Sequence, residues 1–174
     1  MRKRIQSFDR SIDSFVCNLP TYTRPFMLLF TLIGQPPFTV GAAAIVLGYG
    51  LAQEKPFYLY AGLIALVTII ISSVLKIILH RTRPVSEYVD KMIFKTFSFP
   101  SGHAAGALVS YGMAAYVISF RWPEFTITAW VLALSLVFFI SISRIYLRAH
   151  YASDIIGGWI VGGIGLLLLL SLPK

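Results

Sequence analysis

The sequence predicts an all-α integral membrane bundle of about five spans, preceded by an amphipathic interfacial helix. Two observations carry that prediction. Of 174 residues, 57% are hydrophobic and only 13% are charged, about half the charged fraction of an ordinary soluble domain. Residues 57–79 then carry one charge in 23 positions, and residues 155–172 carry none in 18. About 20 predominantly apolar residues cross the hydrocarbon core of a bilayer, so both runs qualify as spans. Soluble globular, fibrous and disordered classes are excluded on the same grounds.

The elements follow in order. MRKR is a basic start, but Gln6, Ser7, Asp9 and Arg10 occupy the place of an apolar signal core, so no signal peptide is expected. Over residues 5–19, Ile5, Phe8, Ile12, Phe15, Val16 and Leu19 recur at three- and four-residue steps. Such a basic, one-faced helix either lies in the membrane interface or packs on the bundle, and the pattern leaves both open. Residues 25–52 are apolar but interrupted by GQPP at 34–37, where two prolines remove donors and end or kink a helix. The expectation is a first span over 37–52, with 25–33 leading into it at an angle; one kinked span from residue 25 is the alternative.

The second span is 57–79, followed by the longest polar stretch, 80–102. Spans three and four are expected at 103–120 and 126–143, joined by RWPEF. A loop at 144–153 then leads into the last span, 154–172. The whole reads as one domain. The single cysteine, Cys17, excludes an internal disulfide and a cysteine cluster for metal. Net charge is +8, and an odd number of spans gathers 12 of the 15 cations on the face that holds the N-terminus and the 80–102 and 144–153 loops.

Three polar clusters stand on that face. Lys76, His80 and Arg83 fall at i, i+4 and i+7, which would put them on one face of the second span's end until Pro84 stops it. Lysine inside an apolar span is costly and usually faces a cavity or a partner; snorkelling at the membrane boundary accounts for Arg81. In PSGH (100–103), Ser101 suits a helix N-cap and Gly102 allows a ligand close to the backbone. The helix start is then an anion site with His103 in its first turn. In SRIYLRAHYASD (143–154), His150 and Asp154 are four apart, so in a helix the carboxylate would take one imidazole N–H and free the other nitrogen. Arg144 and Arg148 add guanidiniums that fork onto phosphate oxygens. Together these groups suit phosphoryl transfer through a phosphohistidine. Zinc is the competing use of histidines and fits poorly, with one carboxylate nearby and many cations.

The three clusters resemble the signature of the type-2 phosphatidic acid phosphatase superfamily: Lys, six residues, Arg-Pro; Pro-Ser-Gly-His; Ser-Arg, five residues, His, three residues, Asp. KIILHRTRP (76–84), PSGH (100–103) and SRIYLRAHYASD (143–154) keep every spacing. The resemblance implies His150 as nucleophile, Asp154 as its orienting carboxylate, and His103 as proton donor to the leaving group. It also implies phosphate binding by Lys76, Arg83, Ser101, Gly102 and Arg144, with no metal and no cofactor. Arg148 and His80 lie outside the signature. Soluble vanadate haloperoxidases share the signature, but the spans argue against that branch. Membrane members usually have six spans, one more than is read here.

The expected partners are the bilayer and a lipid phosphate, with no nucleic acid. The resemblance implies undecaprenyl diphosphate as the first candidate, followed by phosphatidylglycerophosphate, phosphatidic acid and diacylglycerol pyrophosphate. Lys91, Lys95, Tyr88, Phe94, Phe97 and Phe99 of the polar stretch are candidates for head-group contact or for an interfacial aromatic belt. The positive-inside tendency would put the cation-rich face in the cytoplasm. The resemblance implies an extracytoplasmic active site, and that expectation is kept. A non-catalytic lipid-phosphate transporter or binding protein is the alternative of another class, and it gives no use to a nucleophile and its orienting carboxylate.

Overall fold

A computed structural model describes residues 2–92 and 96–173. The chain forms α1 (Arg2–Cys17), α2 (Arg24–Ile33), α3 (Pro36–Ala52), α4 (Pro56–Leu79), α5 (Glu87–Asp90), α6 (Gly102–Arg121), α7 (Thr126–Tyr146) and α8 (Ala152–Leu170), with single 3-10 turns at Thr21–Thr23 and Pro123–Phe125. Five segments are long and apolar enough to cross a membrane: Thr21–Ala52, α4, α6, Pro123–Tyr146 and α8. α6 is the central post and packs against α3, α4, α7 and α8. Its inward positions are small: Ala104, Ala105, Gly106, Ala107 and Ser110 are all buried. Outside, Ile70 and Ile77 of α4, Leu132 of α7 and Leu167 of α8 are exposed. An apolar exterior of this kind is stable only against lipid.

Small residues let backbones touch where side chains would otherwise hold them apart. A Cβ at Gly158 of α8 would lie 2.5 Å from the Ser101 carbonyl oxygen, and one at Gly162 would lie 2.6 Å from that of Ala105. The start of α8 is thereby pressed onto the start of α6, which brings the second and third polar clusters together.

The GQPP break separates α2 from α3. Gln35 is extended (φ −69, ψ 154), and Pro36 and Pro37 occupy the first turn of α3, where a missing N–H costs nothing. Pro37 cannot donate to the Ile33 carbonyl four residues back, and Tyr111 Oη of α6 donates to it instead at 2.7 Å. In lipid, where no water relieves a free carbonyl, that substitution is needed. Past the break, α2 packs on α7 while α3 packs on α4 and α6; both helices belong to the one apolar segment Thr21–Ala52, as in the kinked-span alternative.

Three expectations are corrected. α4 ends at Leu79, with His80 left-handed (φ 49), so Arg83 lies in the non-helical segment before α5 and shares no helix face with Lys76. A left-handed C-terminal residue closes the last turn and redirects the chain. α7 runs on to Tyr146, so Ser143 and Arg144 are helical and the loop shrinks to residues 147–151. His150 precedes α8, so it does not share a helix with Asp154.

Of the two readings that the amphipathic pattern of α1 left open, the structure shows the packing on the bundle. Val16 is buried with Ile145 and Ile155, and Ile12 and Leu19 pack on them, while Phe15 stays 74% exposed and Phe8 43%. The inward face is rotated from the apolar stripe, so Asp9 is buried too, at 3% exposure.

The contact of α6 with α8 makes a direct prediction. Gly158→Val overpacks a backbone contact and is expected to cost about 1–3 kcal/mol, read as a lowered unfolding midpoint in detergent. Gly163→Ala, whose Cβ would meet nothing nearer than 3.9 Å, is expected to be neutral or to stabilise.

Candidate active site

The three clusters meet at the end of the bundle formed by the C-termini of α4 and α7 and the N-termini of α6 and α8. Ser101 is the N-cap of α6, fully buried, its Oγ accepting from Ala104 N at 3.5 Å. The first amides of a helix have no carbonyl four residues earlier, so this buried end presents donors. Lys76 reaches it from α4: a Cβ at Gly102 would stand 3.4 Å from Lys76 Cε and 3.9 Å from Nζ. His103, one residue on, is crossed by the α2–α3 break, for a Cβ at Gly34 would lie 3.2 Å from its Cδ2.

Arg144 comes from the last turn of α7 and is completely buried. Its Nη1 donates to Thr31 Oγ1 of α2 and to Tyr88 Oη of α5 at 3.1 Å, and the Tyr88 ring lies 5.3 Å from its guanidinium carbon. Its Nε and Nη2 are buried without a hydrogen-bond partner among the described residues, as are His103 Nε2 and Ser72 Oγ. Buried donors left in that state are costly unless something accepts from them.

Arg83 is held as firmly, by the backbone of two loops. Nε donates to the Thr96 carbonyl at 2.7 Å, Nη2 to Thr96 Oγ1 at 3.1 Å, and Nη1 to the Ala149 carbonyl at 2.9 Å. Nη1 also stands 3.2 Å from His150 Nε2. Burial and the neighbouring Arg144 bring the Arg83 pKa down to about 10, with Asp154 and Tyr88 opposing them, so it stays charged at neutral pH.

The Arg83 contact fixes the state of His150. A guanidinium only donates, so Nε2 is the lone-pair nitrogen and Nδ1 carries the proton. Nδ1 faces Asp154 Oδ2 at 3.5 Å, longer than a normal hydrogen bond. His150 is 2% exposed. Burial pushes its pKa well below 6.5, and the cations of Lys76, Arg144 and Arg83 and the His103 ring add to that.

Asp154 is the residue with most partners. Oδ2 accepts from Tyr151 N at 2.9 Å, and Oδ1 accepts from Arg81 Nη1 at 2.6 Å. Its own carbonyl accepts from Ser101 N at 2.9 Å, tying the start of α8 to the start of α6. The sequence reading missed Arg81, assigned to snorkelling, and Asp9, taken as part of a polar face. Arg81 Nη2 donates to Asp9 Oδ2 at 2.7 Å, so both belong to the surroundings of Asp154.

Each expected site residue is thus in this one region. His80 and Arg148 are not: His80 is exposed and packs on Phe97, with ring centres 4.4 Å apart, and Arg148 is exposed with its Nε 3.5 Å from Cys17 Sγ. Of the proposed head-group contacts, Lys91 pairs with Glu87 at 2.5 Å, Tyr88 supports Arg144, and Phe99 packs on Gly157. Phe94 and Lys95 lie outside the described residues. Among the described residues, no three His, Cys, Asp or Glu side chains converge to hold a metal.

Two hollows adjoin the site. One of about 730 Å³ lies between α1 and residues 79–84, with Asp9, Arg81 and Tyr151 in its wall. One of about 310 Å³ lies outside Arg83, beside Val85, Thr96 and Phe97. Neither is lined by a histidine of the site; His150 sits behind Arg83, with Nε2 3.2 Å from its Nη1.

Comparison with known proteins accords with this geometry. The phosphatidylglycerophosphatase B of Bacillus subtilis is 32% identical over 108 residues, 60% of this chain and 50% of that protein. A lipid A 4'-phosphatase of Bacteroides thetaiotaomicron is 39% identical over 72 residues, 40% of this chain and 28% of that one. An undecaprenyl-diphosphatase of Sulfolobus acidocaldarius is 29% identical over 101 residues, 55% of this chain and 45% of that one. The matches thus span half or less of each relative. The crystal structure of a transmembrane PAP2-type phosphatidylglycerolphosphate phosphatase from Bacillus subtilis has the same fold, with a TM-score of 0.81 at 24% identity, covering 96% of this chain and 85% of that one. The PAP2 superfamily pattern extends over residues 57–174, from the start of α4 through all three clusters, and the chain belongs to that superfamily.

Proposed function

We propose that the protein is a membrane phosphatase that hydrolyses a lipid phosphate through a phosphohistidine on His150. The observation that carries this reading is the setting of His150: Nε2 3.2 Å from Arg83 Nη1, Nδ1 3.5 Å from Asp154 Oδ2, and the unpartnered donors of Arg144 buried in the same region. In the first step Nε2 attacks phosphorus, an N–P bond forms and the P–O bond to the lipid breaks. His103 gives its proton to the departing oxygen. In the second step His103 takes a proton from water, the water oxygen attacks phosphorus, and the N–P bond breaks to release phosphate. Lys76, Arg83, Arg144, the Ser101 hydroxyl and the Gly102 amide hold the phosphoryl oxygens, where charge builds in both transition states. Arg83 must slide from Nε2 onto the phosphate for attack to begin.

The substrate is a lipid whose tail stays in the bilayer while its phosphate enters the bundle end. Undecaprenyl diphosphate is the first candidate, a choice that the relative named as an undecaprenyl-diphosphatase supports. Phosphatidylglycerophosphate is the second reading, favoured by the higher identity to the Bacillus subtilis phosphatase. Phosphate release from a panel of lipid phosphates in detergent, with EDTA present, tests the reading. Activity is expected to persist in EDTA and to fall by about 10⁴-fold or more in His150→Ala, the scale on which loss of a nucleophile acts. His103→Gln is expected to cost about 10²–10⁴-fold. Full activity in His150→Ala would refute the phosphohistidine.

The resting nucleophile must also be neutral. An unfolded imidazole takes up a proton below pH 6.5 while folded His150 resists it, so its contribution to stability is present above 6.5 and is lost as pH falls below that value. Between pH 7 and 5 the unfolding midpoint of the wild type is expected to drop further than that of His150→Gln. Equal drops would contradict a neutral His150.

We place the site on the extracytoplasmic face, where the product phosphate leaves the cell surface. Val85 is 90% exposed and beside Arg83. In a Cys17→Ser background, Val85→Cys is expected to react with a membrane-impermeant thiol reagent in intact cells. Reaction only after permeabilisation would reverse the orientation.

A further inference from the structure

We propose that Asp9 of α1 and Arg81 are positioning residues for the reaction, a two-residue relay that fixes the Asp154 carboxylate behind His150. The inference rests on the phosphohistidine reading and extends it to Asp9, which lies outside all three clusters and before the segment 57–174 shared with the superfamily.

The geometry leaves the carboxylate little freedom. Arg81 Nη1 forks between Asp154 Oδ1 at 2.6 Å and Ser153 Oγ at 2.7 Å, and Nη2 holds Asp9 Oδ2 at 2.7 Å. Asp9 closes the ring: its Oδ1 accepts from Ser153 N at 2.8 Å, and its Oδ2 accepts from Ser153 Oγ at 2.8 Å. The guanidinium carbon lies 4.5 Å from the centre of the Tyr151 ring. Asp9 is buried at 3% exposure and Asp154 at 0%. A buried carboxylate of a surface helix is costly unless it is paired, and this one is paired to Arg81 and to Ser153, which follows the turn carrying His150.

The charges give the relay its sense. Arg81 alone would neutralise Asp154 and weaken its hold on the imidazole. Shared with Asp9, one cation lies between two anions, and the group keeps a net negative charge beside His150. That charge stabilises the positive ring formed when Nε2 bonds to phosphorus. It also works against Lys76, Arg83 and Arg144, the cations that face His150 from α4, the 80–86 segment and α7, with His103 on α6 as the remaining titratable neighbour.

The test is a double-mutant cycle read in steady-state and single-turnover kinetics of the full chain in detergent. Asp9→Asn and Arg81→Ala are each expected to lower kcat about 10–100-fold, the usual effect of losing a partner that orients a functional ligand. KM should hardly change, because no phosphate donor is touched. In an Asp154→Asn background the same substitutions are expected to add no further loss, since the relay acts only through that carboxylate. Guanidinium added to the solution should restore part of the Arg81→Ala rate. An undiminished loss in the Asp154→Asn background, a rise in KM at unchanged kcat, or wild-type kcat in Asp9→Asn would each overturn the proposal. If Arg81→Ala does not fold, Asp9→Asn, nearly identical in shape, decides alone. A dead His150→Ala beside a fully active Asp9→Asn rejects only the relay, whereas an active His150→Ala rejects the phosphatase reading itself.

Discussion

The site depends on Asp154 more than on any other residue. Its carbonyl holds the Ser101 amide, one oxygen of its carboxylate caps the start of α8 through Tyr151 N, and the other accepts from Arg81. The same carboxylate faces His150 Nδ1. This one residue therefore ties the start of α6 to the start of α8 through its carbonyl, while its carboxylate caps α8 and stands beside the imidazole. A buried carboxylate survives only with such a full set of donors, since each one offsets part of the cost of removing the charge from water.

The rest of the bundle makes that junction possible. α6 and α8 can meet backbone to backbone because glycine stands at the contacts, and the Ser101 carbonyl lies where a larger residue at 158 would intrude. Hydrophobic burial does not press helices together in lipid, so close packing and inter-helix hydrogen bonds do that work. Ser110 Oγ donates to the Thr39 carbonyl at 3.0 Å, and Trp159 Nε1 donates to Ser141 Oγ at 3.0 Å. These bonds tie α6 to α3 and α8 to α7, the helices that frame the site.

Much of this was legible in the sequence, for identifiable reasons. Apolar runs set the spans because the bilayer demands a fixed length of greasy helix, and GQPP marked the α2–α3 break because proline has no N–H to give. The spacing of the polar clusters carried the site residues, all of which the fold brings to one end. The route of Arg83 was not legible: nothing in KIILHRTRP says that His80 turns left-handed, and a helical phase put Arg83 on a face that does not exist. Arg81 and Asp9 were hidden for a different reason. Their pairing spans 72 residues of chain, and an acidic residue on an amphipathic helix carries no local sign that it will be buried. Likewise Thr31 and Tyr88 declare their role only once Arg144 is seen between them.

A phosphoryl group carried on His150 is the claim on which the account stands. Rapid mixing of the protein with a radiolabelled lipid phosphate, quenched in alkali and followed by peptide mapping, addresses it directly. A phosphorus–nitrogen bond survives base and is cut by acid, so the account predicts a base-stable, acid-labile label on the peptide containing His150. An acid-stable label on a hydroxyl, Ser101 above all, would contradict it.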